Sequence, residues 1–330
     1  MNPEVAYAIL GAVVAVELGI HLFSVIVIVP IFERRLPFNV TPVEPLESVE
    51  RLFIPTSNGL TLRGSLHMPS AEPLGLVIFC PEFQGTHWTA MDYCEGLLET
   101  GFAVLAFDFR GQGESDDMPG YEPLHWCTEH EISDVQSVVR FIRSRPGFTE
   151  ISIGLMGISR GANAALAVAA DDASVKCVVA DSAFTTDTLM VLYSARWVRH
   201  STPRWFYLPE WHLYISCRLA RFVSEMRRAV RHPRLERSVA GLRQRSVLLI
   251  AGARDSYVPP ENSRRIQKWI GGNSRVWDVP GARHNSARQT NRQEYDKRTA
   301  DLFLNMVPLH QLPAPVSVSA ADIRTSSAAR

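Results

Sequence analysis

One short segment carries the residue pattern of an activated serine. Gly157-Ile158-Ser159-Arg160-Gly161 follows the apolar run Ile151–Met156 and precedes Ala162–Ala170, a run that favours a helix. A strand, Gly-x-Ser-x-Gly and a helix make a tight turn that lifts the serine hydroxyl clear of a sheet, and only glycine leaves room on either side. The positive end of the helix dipole would then face the hydroxyl. The pattern predicts a nucleophile at Ser159, and the alternative is a serine that merely starts the helix.

A serine hydroxyl is a poor nucleophile without a base, and the base is commonly a histidine held by a carboxylate. Asp255 comes just after the apolar run Val247–Ala251, and His284 comes just after Arg275–Val279. The order Ser, Asp, His is the one expected for this kind of turn. Asp181, which also follows an apolar run, is a rival for the acid. The alternatives are that Asp255 caps a helix and that His284 is a surface loop residue.

The elements that must position these residues follow from hydrophobic patterning. Short apolar runs, typical of buried strands, alternate with helical runs along most of the chain. The predicted strands are Arg51–Pro55, Leu60–His67, Leu74–Cys80, Phe102–Asp108, Ile151–Met156, Val175–Ala180, Val247–Ala251 and Arg275–Val279. The predicted helices are Thr89–Glu99, Glu129–Arg143, Arg160–Ala170, Glu261–Ile270 and Asn291–Asn305. This alternation predicts an α/β fold whose mainly parallel sheet is covered on both faces, with sites beyond the carboxyl ends of the strands.

With these elements in place, the sequence resembles an α/β-hydrolase of the serine aminopeptidase and lysophospholipase-like branch. The resemblance extends from about Arg51 to Val307 and includes the loop Asp108–Ser115, which is similar to D-x-R-G-x-G-x-S, and the run Ala180–Phe184. It implies an eight-stranded sheet with a helical cap insertion, and chemistry that needs no metal or organic cofactor. The residues that it implies are Ser159 as nucleophile, His284 as base and Asp255 as the acid that orients the base.

The oxyanion hole is where the sequence departs from the family pattern. The family often has His-Gly-x after the third strand, whereas this chain has Cys80-Pro81-Glu82-Phe83-Gln84-Gly85. Alignment gives the backbone N–H of Phe83 as one donor and that of Arg160 as the other, and backbone donors survive a change of side chain. Glu82 replaces a glycine, and its carboxylate would oppose a developing oxyanion if it pointed inward. Loss of one such donor costs about 10²–10³ in rate.

The chain also carries a segment apolar enough to cross a membrane. Val5–Phe32 is apolar except for Glu17 and His21, and as a helix it would be about 42 Å long. A bilayer core needs only about 20 residues. The segment lacks the basic start and small-residue cleavage site of a signal peptide, so we expect an uncleaved anchor. Arg34 and Arg35 follow it, and the positive-inside rule then places the next domain in the cytoplasm.

Glu17 and His21 lie four positions apart and therefore share one face of the predicted helix. Because ionisable groups inside a membrane rarely face lipid, they are expected to pair with each other or with a partner helix. The plainer alternative, which the sequence favours, is that they only weaken an otherwise adequate anchor. Five further histidines are expected to be structural or solvated: His125, His130, His200, His212 and His232.

Composition sets the remaining boundaries. Residues 1–35 are the predicted anchor, residues 36–50 a linker rich in proline and glutamate, residues 51–308 the hydrolase domain, and residues 309–330 a disordered tail. Between residues 187 and 244 the alternation breaks, which predicts a cap. The cap holds eleven arginines, four acids and eight aromatic residues. Its arginine-rich surface predicts either a solvated face or contact with an anionic membrane, with nucleic-acid binding the least favoured.

The whole-chain composition excludes several classes of protein. Lys and Arg number 34 and are balanced by 34 Asp and Glu, which argues against a protein that coats nucleic acid. A hydrophobic content of 46% argues against wholesale disorder and against many membrane spans. The cysteines form no C-x-x-C pair, so neither a zinc site nor a disulfide framework is indicated, and buried free thiols are expected. They are Cys80, Cys94, Cys127, Cys177 and Cys217.

Together these features predict a membrane-anchored serine hydrolase that forms an acyl-enzyme on Ser159. Esters and thioesters are favoured over peptides, because no motif that would anchor an amine or carboxylate terminus is evident. A lipid-derived ester fits the anchor as a substrate. Two alternatives are open. One is an acyltransferase on the same fold, in which an alcohol replaces water, and the other is a non-catalytic binding protein.

Overall fold

The centre of the molecule is an eight-stranded sheet. The computed structural model describes residues 2–35, 43–46, 49–201, 203–204, 207 and 209–308. The strands are β1 (Glu50–Pro55), β2 (Thr61–His67), β3 (Leu76–Cys80), β4 (Ala103–Phe107), β5 (Ile153–Ile158), β6 (Val175–Asp181), β7 (Ser246–Gly252) and β8 (Ser274–Val279). Their order is β1-β2-β4-β3-β5-β6-β7-β8. β2 pairs antiparallel with β1 and β4, and all other neighbours are parallel, which confirms the predicted sheet.

The five helices that the sequence predicts are all present, among others. The helices are α1 (Pro3–Phe32), α2 (Met91–Thr100), α3 (Glu129–Arg143), α4 (Arg160–Asp171), α5 (Thr186–Ser201), α6 (Glu210–Arg228), α7 (Leu235–Ser238), α8 (Glu261–Ile270), α9 (Ala287–Thr290) and α10 (Arg292–Leu304). The predicted bounds of α3 and α8 are met residue for residue. A capping box explains the sharp start of α3, because the side chains of Thr128 and Glu131 each accept a hydrogen bond from a backbone N–H there.

The core consists of two apolar layers, one on each face of the sheet. Every residue of β3, β4 and β5 is buried, as expected for parallel strands covered on both sides. Alternate side chains of β3 enter opposite layers: Leu76 and Ile78 pack with α3 and α4, whereas Val77 and Phe79 pack with α2 and α10. Because both faces of the sheet are covered, functional residues are expected in the loops that follow the carboxyl ends of the strands.

The connection between β6 and β7 contains the helices α5 and α6, which pack against each other. This is the segment in which the sequence predicts a cap, and its described residues contain no strand. Trp205 and Phe206 of the predicted cap lie outside the described residues, as do the tail 309–330 and most of the linker 36–50. The five cysteines are free and buried, as predicted.

The helix α1 is long and apolar enough, by length and composition, to cross a membrane. Its second half lies beside α6. The two helices run in the same direction, because residues later in α1 contact residues later in α6. The expectation that Glu17 and His21 only weaken the anchor is wrong, because each finds a polar partner on this second helix. The pairs are Glu17 Oε2 with His212 Nε2 at 2.7 Å, His21 Nδ1 with Ser216 Oγ at 2.9 Å, and Glu33 with Arg227 at 3.6 Å.

The last turn of α1 is part of the protein interior. Ile28, Val29 and Phe32 are buried in an apolar cluster with Phe184 and other residues of the β6–β7 connection and the neighbouring loops. The Phe32 ring stacks on Trp126 with ring centroids 4.7 Å apart, and Trp126 Nε1 donates a hydrogen bond to the Phe32 carbonyl at 2.9 Å. This bond satisfies a carbonyl that the end of the helix leaves without an intrahelical partner.

Candidate active site

Ser159 occupies a strained turn between β5 and α4. Its backbone has φ 52° and ψ −114°, a conformation that L-residues rarely adopt. The chain passes so closely on both sides that a Cβ on Gly157 would lie 2.4 Å from the Gly161 carbonyl oxygen. A Cβ on Gly161 would lie 2.1 Å from the carbonyl oxygen of Cys80. The two glycines of the motif are therefore required by space, and they hold Ser159 at the carboxyl edge of the sheet.

The structure brings the three predicted catalytic residues together. His284 lies in the loop after β8, and its Nε2 is 3.1 Å from Ser159 Oγ. Its Nδ1 is 2.7 Å from Asp255 Oδ2 in the loop after β7. An ionised carboxylate can only accept, so Nδ1 carries the proton in this arrangement and Nε2 presents its lone pair to the serine hydroxyl. The geometry is that of a serine activated by an oriented base.

Asp255 is fixed by its own loop. Its other oxygen, Oδ1, accepts hydrogen bonds from the backbone N–H groups of Tyr257 and Val258, each at 2.8 Å. Its side chain is completely buried, whereas the His284 side chain is 16% exposed. The histidine can therefore meet a substrate while the acid behind it stays out of water.

Asp181, the rival acid, lies at the end of β6 and faces other groups. It accepts hydrogen bonds from Ser182 Oγ at 3.0 Å and from the Tyr295 hydroxyl at 3.2 Å. Burial raises the pKa of the Asp181 carboxyl to about 7. Its backbone carbonyl also accepts the N–H of Ser159 at 2.8 Å. Asp181 thus stabilises the turn that holds Ser159. The acid that is hydrogen bonded to His284 is Asp255.

The two residues predicted to line the oxyanion hole are neighbours. Phe83 lies in the loop after β3, and Arg160 is the first residue of α4. The Arg160 guanidinium lies 5.3 Å from the centroid of the Phe83 ring. N–H groups in the first turn of a helix lack intrahelical acceptors, so the Arg160 N–H is available to an anion beside Ser159.

Glu82 is directed toward α2 and beneath its own loop. The Tyr93 hydroxyl donates to Glu82 Oε1 at 3.3 Å. A Cβ on Gly85 would lie 2.9 Å from Glu82 Oε2, so the side chain folds back under Gly85. Burial raises the pKa of this carboxyl, against smaller opposing effects from its hydrogen bonds and from His284. A raised pKa lowers the tendency of this carboxyl to ionise, and with it the repulsion that a carboxylate would exert on an oxyanion.

Several supporting side chains are missed by sequence reasoning. Asp108 of the D-x-R-G-x-G-x-S loop accepts the backbone N–H groups of His87 at 2.6 Å and Glu114 at 2.8 Å. It thereby ties that loop to the segment that follows Phe83. The signal is an acid at the end of a buried strand, where an uncompensated charge is costly.

The Arg160 side chain is also missed, since only its backbone enters the sequence argument. It is fully buried between the rings of Phe83 and Phe109 and donates to the Leu124 carbonyl at 2.9 Å. Glu131 lies 3.5 Å away as its counter-charge. The sequence signal that could have indicated this buried side chain is an arginine directly before the small residues 161–165.

Comparisons with known proteins show the family and the fold. Residues 77–298 match the model of the Alpha/beta hydrolase family. The chain is 33% identical to thiohydrolase aneE of Aspergillus aculeatus over 38% of each protein. It is 28% identical to a polyketide transferase of Gibberella fujikuroi, over 56% of this chain and 50% of the relative. Matches to the first curated relatives span only about two fifths of their length.

Solved structures share the fold. An esterase from Pyrococcus furiosus superposes with a TM-score of 0.60 at 22% identity, covering 83% of this chain and 96% of the esterase. The narrower serine aminopeptidase and lysophospholipase-like branch stays a prediction. The match to the family model spans most of the described hydrolase domain, from β3 into α10. The chain therefore belongs to the alpha/beta hydrolase family.

Proposed function

We propose that this protein is a membrane-anchored serine hydrolase that cleaves a carboxylic ester or thioester through an acyl-enzyme on Ser159. The observation that carries the proposal is the pair of hydrogen-bond distances at His284: 3.1 Å from Nε2 to Ser159 Oγ and 2.7 Å from Nδ1 to Asp255 Oδ2. A nucleophile, a base and an orienting acid in this geometry support acyl transfer.

The chemistry follows from the positions of these groups. Ser159 Oγ attacks the substrate carbonyl while His284 Nε2 takes the hydroxyl proton, and the resulting oxyanion accepts the N–H groups of Phe83 and Arg160. When the tetrahedral intermediate collapses, His284 gives its proton to the departing alcohol or thiol, which leaves an acyl ester on Ser159. Water then attacks that ester, loses a proton to His284 and releases the acid, and the proton returns to Ser159.

The substrate class rests on three supports. The relatives include a thiohydrolase, and the structural neighbours include an esterase. The apolar helix α1 would hold the catalytic domain at a membrane, with Arg34 and Arg35 on the cytoplasmic side under the positive-inside rule. A domain held there meets esters and thioesters that partition into lipid.

A fluorophosphonate probe tests this proposal directly, because it reacts only with a serine that a neighbouring base activates. We expect the full chain to be labelled and the Ser159→Ala variant to lose labelling. Ser57→Ala, at an exposed serine in the β1–β2 turn, is the matched control and should be labelled like wild type. Equal labelling of Ser159→Ala and wild type, or no labelling of wild type, would refute a serine mechanism.

Acyl transfer to an alcohol is a second candidate, supported by the polyketide transferase among the relatives. The first half-reaction is the same, and the two functions differ in what attacks the acyl-enzyme. Product analysis with a model ester and an added alcohol separates them: a hydrolase releases the free acid, whereas a transferase yields the new ester at the expense of the acid.

A further inference from the structure

The helix α6 has two unlike faces. Toward α1 it presents the polar groups His212 and Ser216, which are bonded, and the small residue Ala220. On an adjoining side its large apolar side chains recur at helical spacing and are exposed. This outer face of α6 consists of Trp211, Ile215, Leu219, Phe222 and Met226. An exposed apolar stripe of this length is the surface of a helix that contacts something other than water.

A groove of about 430 Å³ lies on this outer face. Ile215, Leu219 and Phe222 line it with apolar surface, and the guanidinium groups of Arg218 and Arg234 stand beside them. The Arg218 guanidinium lies 5.5 Å from the centroid of the exposed Tyr214 ring. Apolar surface flanked by arginine matches the acyl chains and anionic headgroups of a lipid bilayer.

The outer face of α6 is continuous with the exposed surface of α1. The helix α1 begins at Pro3, where Asn2 caps it, and its polar contacts with α6 begin at Glu17. Its free part, Pro3 to Val16, is fourteen residues and therefore about 21 Å long. A bilayer core is about 30 Å thick. The part of α1 that precedes α6 is therefore too short to span the core alone. If α1 spans the core, the first turns of α1 that lie beside α6 are also inside the membrane, and so are the first turns of α6.

We propose that α1 and α6 enter the membrane together as a parallel pair, with the outer face of α6 in contact with the lipid of an anionic bilayer. The inference rests on the membrane anchoring proposed above and specifies which second surface of the protein takes part in it. The cap is then a membrane-embedded element, because α6 is one of its two long helices.

The pairing of the two helices explains the placement of polar groups. An ionisable side chain in hydrocarbon is costly unless it finds a partner. Glu17, His21, His212 and Ser216 all face the seam between the helices, where Glu17 pairs with His212 and His21 with Ser216. Exposed apolar side chains occupy the adjoining face of α6, as expected for a helix that contacts lipid beside the helix with which it pairs.

Lipid contact can be measured by attaching a bimane fluorophore to cysteine in the variant Phe222→Cys. Phe222 is 58% exposed on the outer face of α6, and Phe53, which is 61% exposed on β1, gives the matched control Phe53→Cys. The full chain is reconstituted into vesicles of phosphatidylcholine and phosphatidylserine, with and without doxyl-labelled phosphatidylcholine. The native cysteines are buried, and wild type treated in the same way gives the background.

We expect doxyl lipid to quench the label at position 222 about twofold or more, since quenching needs direct contact with acyl chains, and to leave the label at position 53 unchanged. Iodide in the buffer should quench the label at position 53 more strongly. Equal responses at both positions, in protein that stays with the vesicles in alkaline carbonate, would overturn the inference and leave the anchoring by α1 intact.

Two other outcomes also overturn it. A label at position 222 that is shielded from iodide and not quenched by doxyl lipid would mean that protein, such as a second copy of this chain, covers the outer face of α6. Release of the chain from the vesicles by alkaline carbonate would refute membrane anchoring itself, and the inference with it.

Discussion

The Asp255 carboxylate accepts one hydrogen bond from His284 and two from its own loop. These bonds leave the carboxylate little freedom to rotate, so the imidazole is held with Nε2 toward Ser159. Asp181 has its own two hydroxyl donors. The sequence favours Asp255 over Asp181 only by residue order and position after a strand. In the structure, His284 is hydrogen bonded to Asp255, whereas Asp181 accepts hydrogen bonds from two hydroxyl groups.

Replacement of each acid by its amide should separate their roles. We expect Asp255→Asn to lower the rate of ester hydrolysis by about 10⁴-fold, because the amide favours the wrong histidine tautomer. Asp181→Asn should change the rate little, since Asp181 has no hydrogen bond to His284. Initial rates with a chromogenic ester measure both, with thermal unfolding as the check that each variant is folded. A larger loss in Asp181→Asn than in Asp255→Asn would reverse the assignment.

Glu82 makes the rate depend on pH in a definite direction. Its pKa is raised by burial, so the carboxyl is neutral at low pH and gains its charge only above the usual range for glutamate. As pH rises through that raised pKa, a negative charge develops next to the oxyanion loop and opposes the transition state.

The test is the pH profile of the Glu82→Gln variant. We expect the activity of wild type to fall relative to that of Glu82→Gln as pH rises above the usual range for glutamate, because only wild type then gains a charge at this position. Glutamine at position 82 can still accept the hydrogen bond from the Tyr93 hydroxyl, so the variant removes the charge and keeps this contact. Identical pH profiles in both proteins would show that Glu82 exerts no charge on the reaction.

At the scale of elements, strands and core helices could be predicted from the sequence because each carries its own pattern. Apolar runs located the eight strands, and α3 and α8 were located residue for residue. The pairing of α1 with α6 could not be predicted. Glu17 and His212 lie 195 positions apart, and each resembles an isolated polar residue in its own segment.

The Glu17–His212 pair should therefore behave as a coupled unit. Glu17→Leu leaves His212 without its acceptor in apolar surroundings, and we expect a loss of about 1–3 kcal/mol in stability. Glu17→Gln, which can still accept a hydrogen bond, should lose less. The double variant Glu17→Leu/His212→Leu should recover part of the loss, because no buried polar group is then left over.

Thermal unfolding in detergent measures this cycle, and Glu4→Leu, at an exposed acid in the first turn of α1, is the control for a change of charge alone. Additive effects of the two single variants would show that Glu17 and His212 do not interact.

At the scale of the whole molecule, the helix α1 and the hydrolase domain share an interior. Ile28, Val29 and Phe32 are buried with residues of the β6–β7 connection and of the loops around the candidate site. The sequence divides the chain at residue 35 because polarity changes there. By burial, the last turn of α1 belongs to the folded domain, because Ile28, Val29 and Phe32 are buried within it.

Two truncations test this division. Removal of residues 1–35 takes away three buried side chains, each worth about 1.5–3 kcal/mol of burial, and uncovers their apolar partners. We expect a lower Tm and increased binding of a hydrophobic dye. Removal of residues 1–15 deletes only the part of α1 that precedes its polar contacts with α6, and should leave the Tm in detergent unchanged. Equal Tm values for both truncated proteins would contradict a shared interior.

The separation of Glu17 from His212 also sets an order of events during synthesis. At a translation rate of about 5–20 residues per second, the ribosome needs about 10–40 s to make the 195 positions between them. Throughout that time α1 exists without the helix that satisfies its polar face. The strands β1 to β6 are all made before α6 emerges, so Glu17 has no access to His212 until most of the sheet has been synthesised.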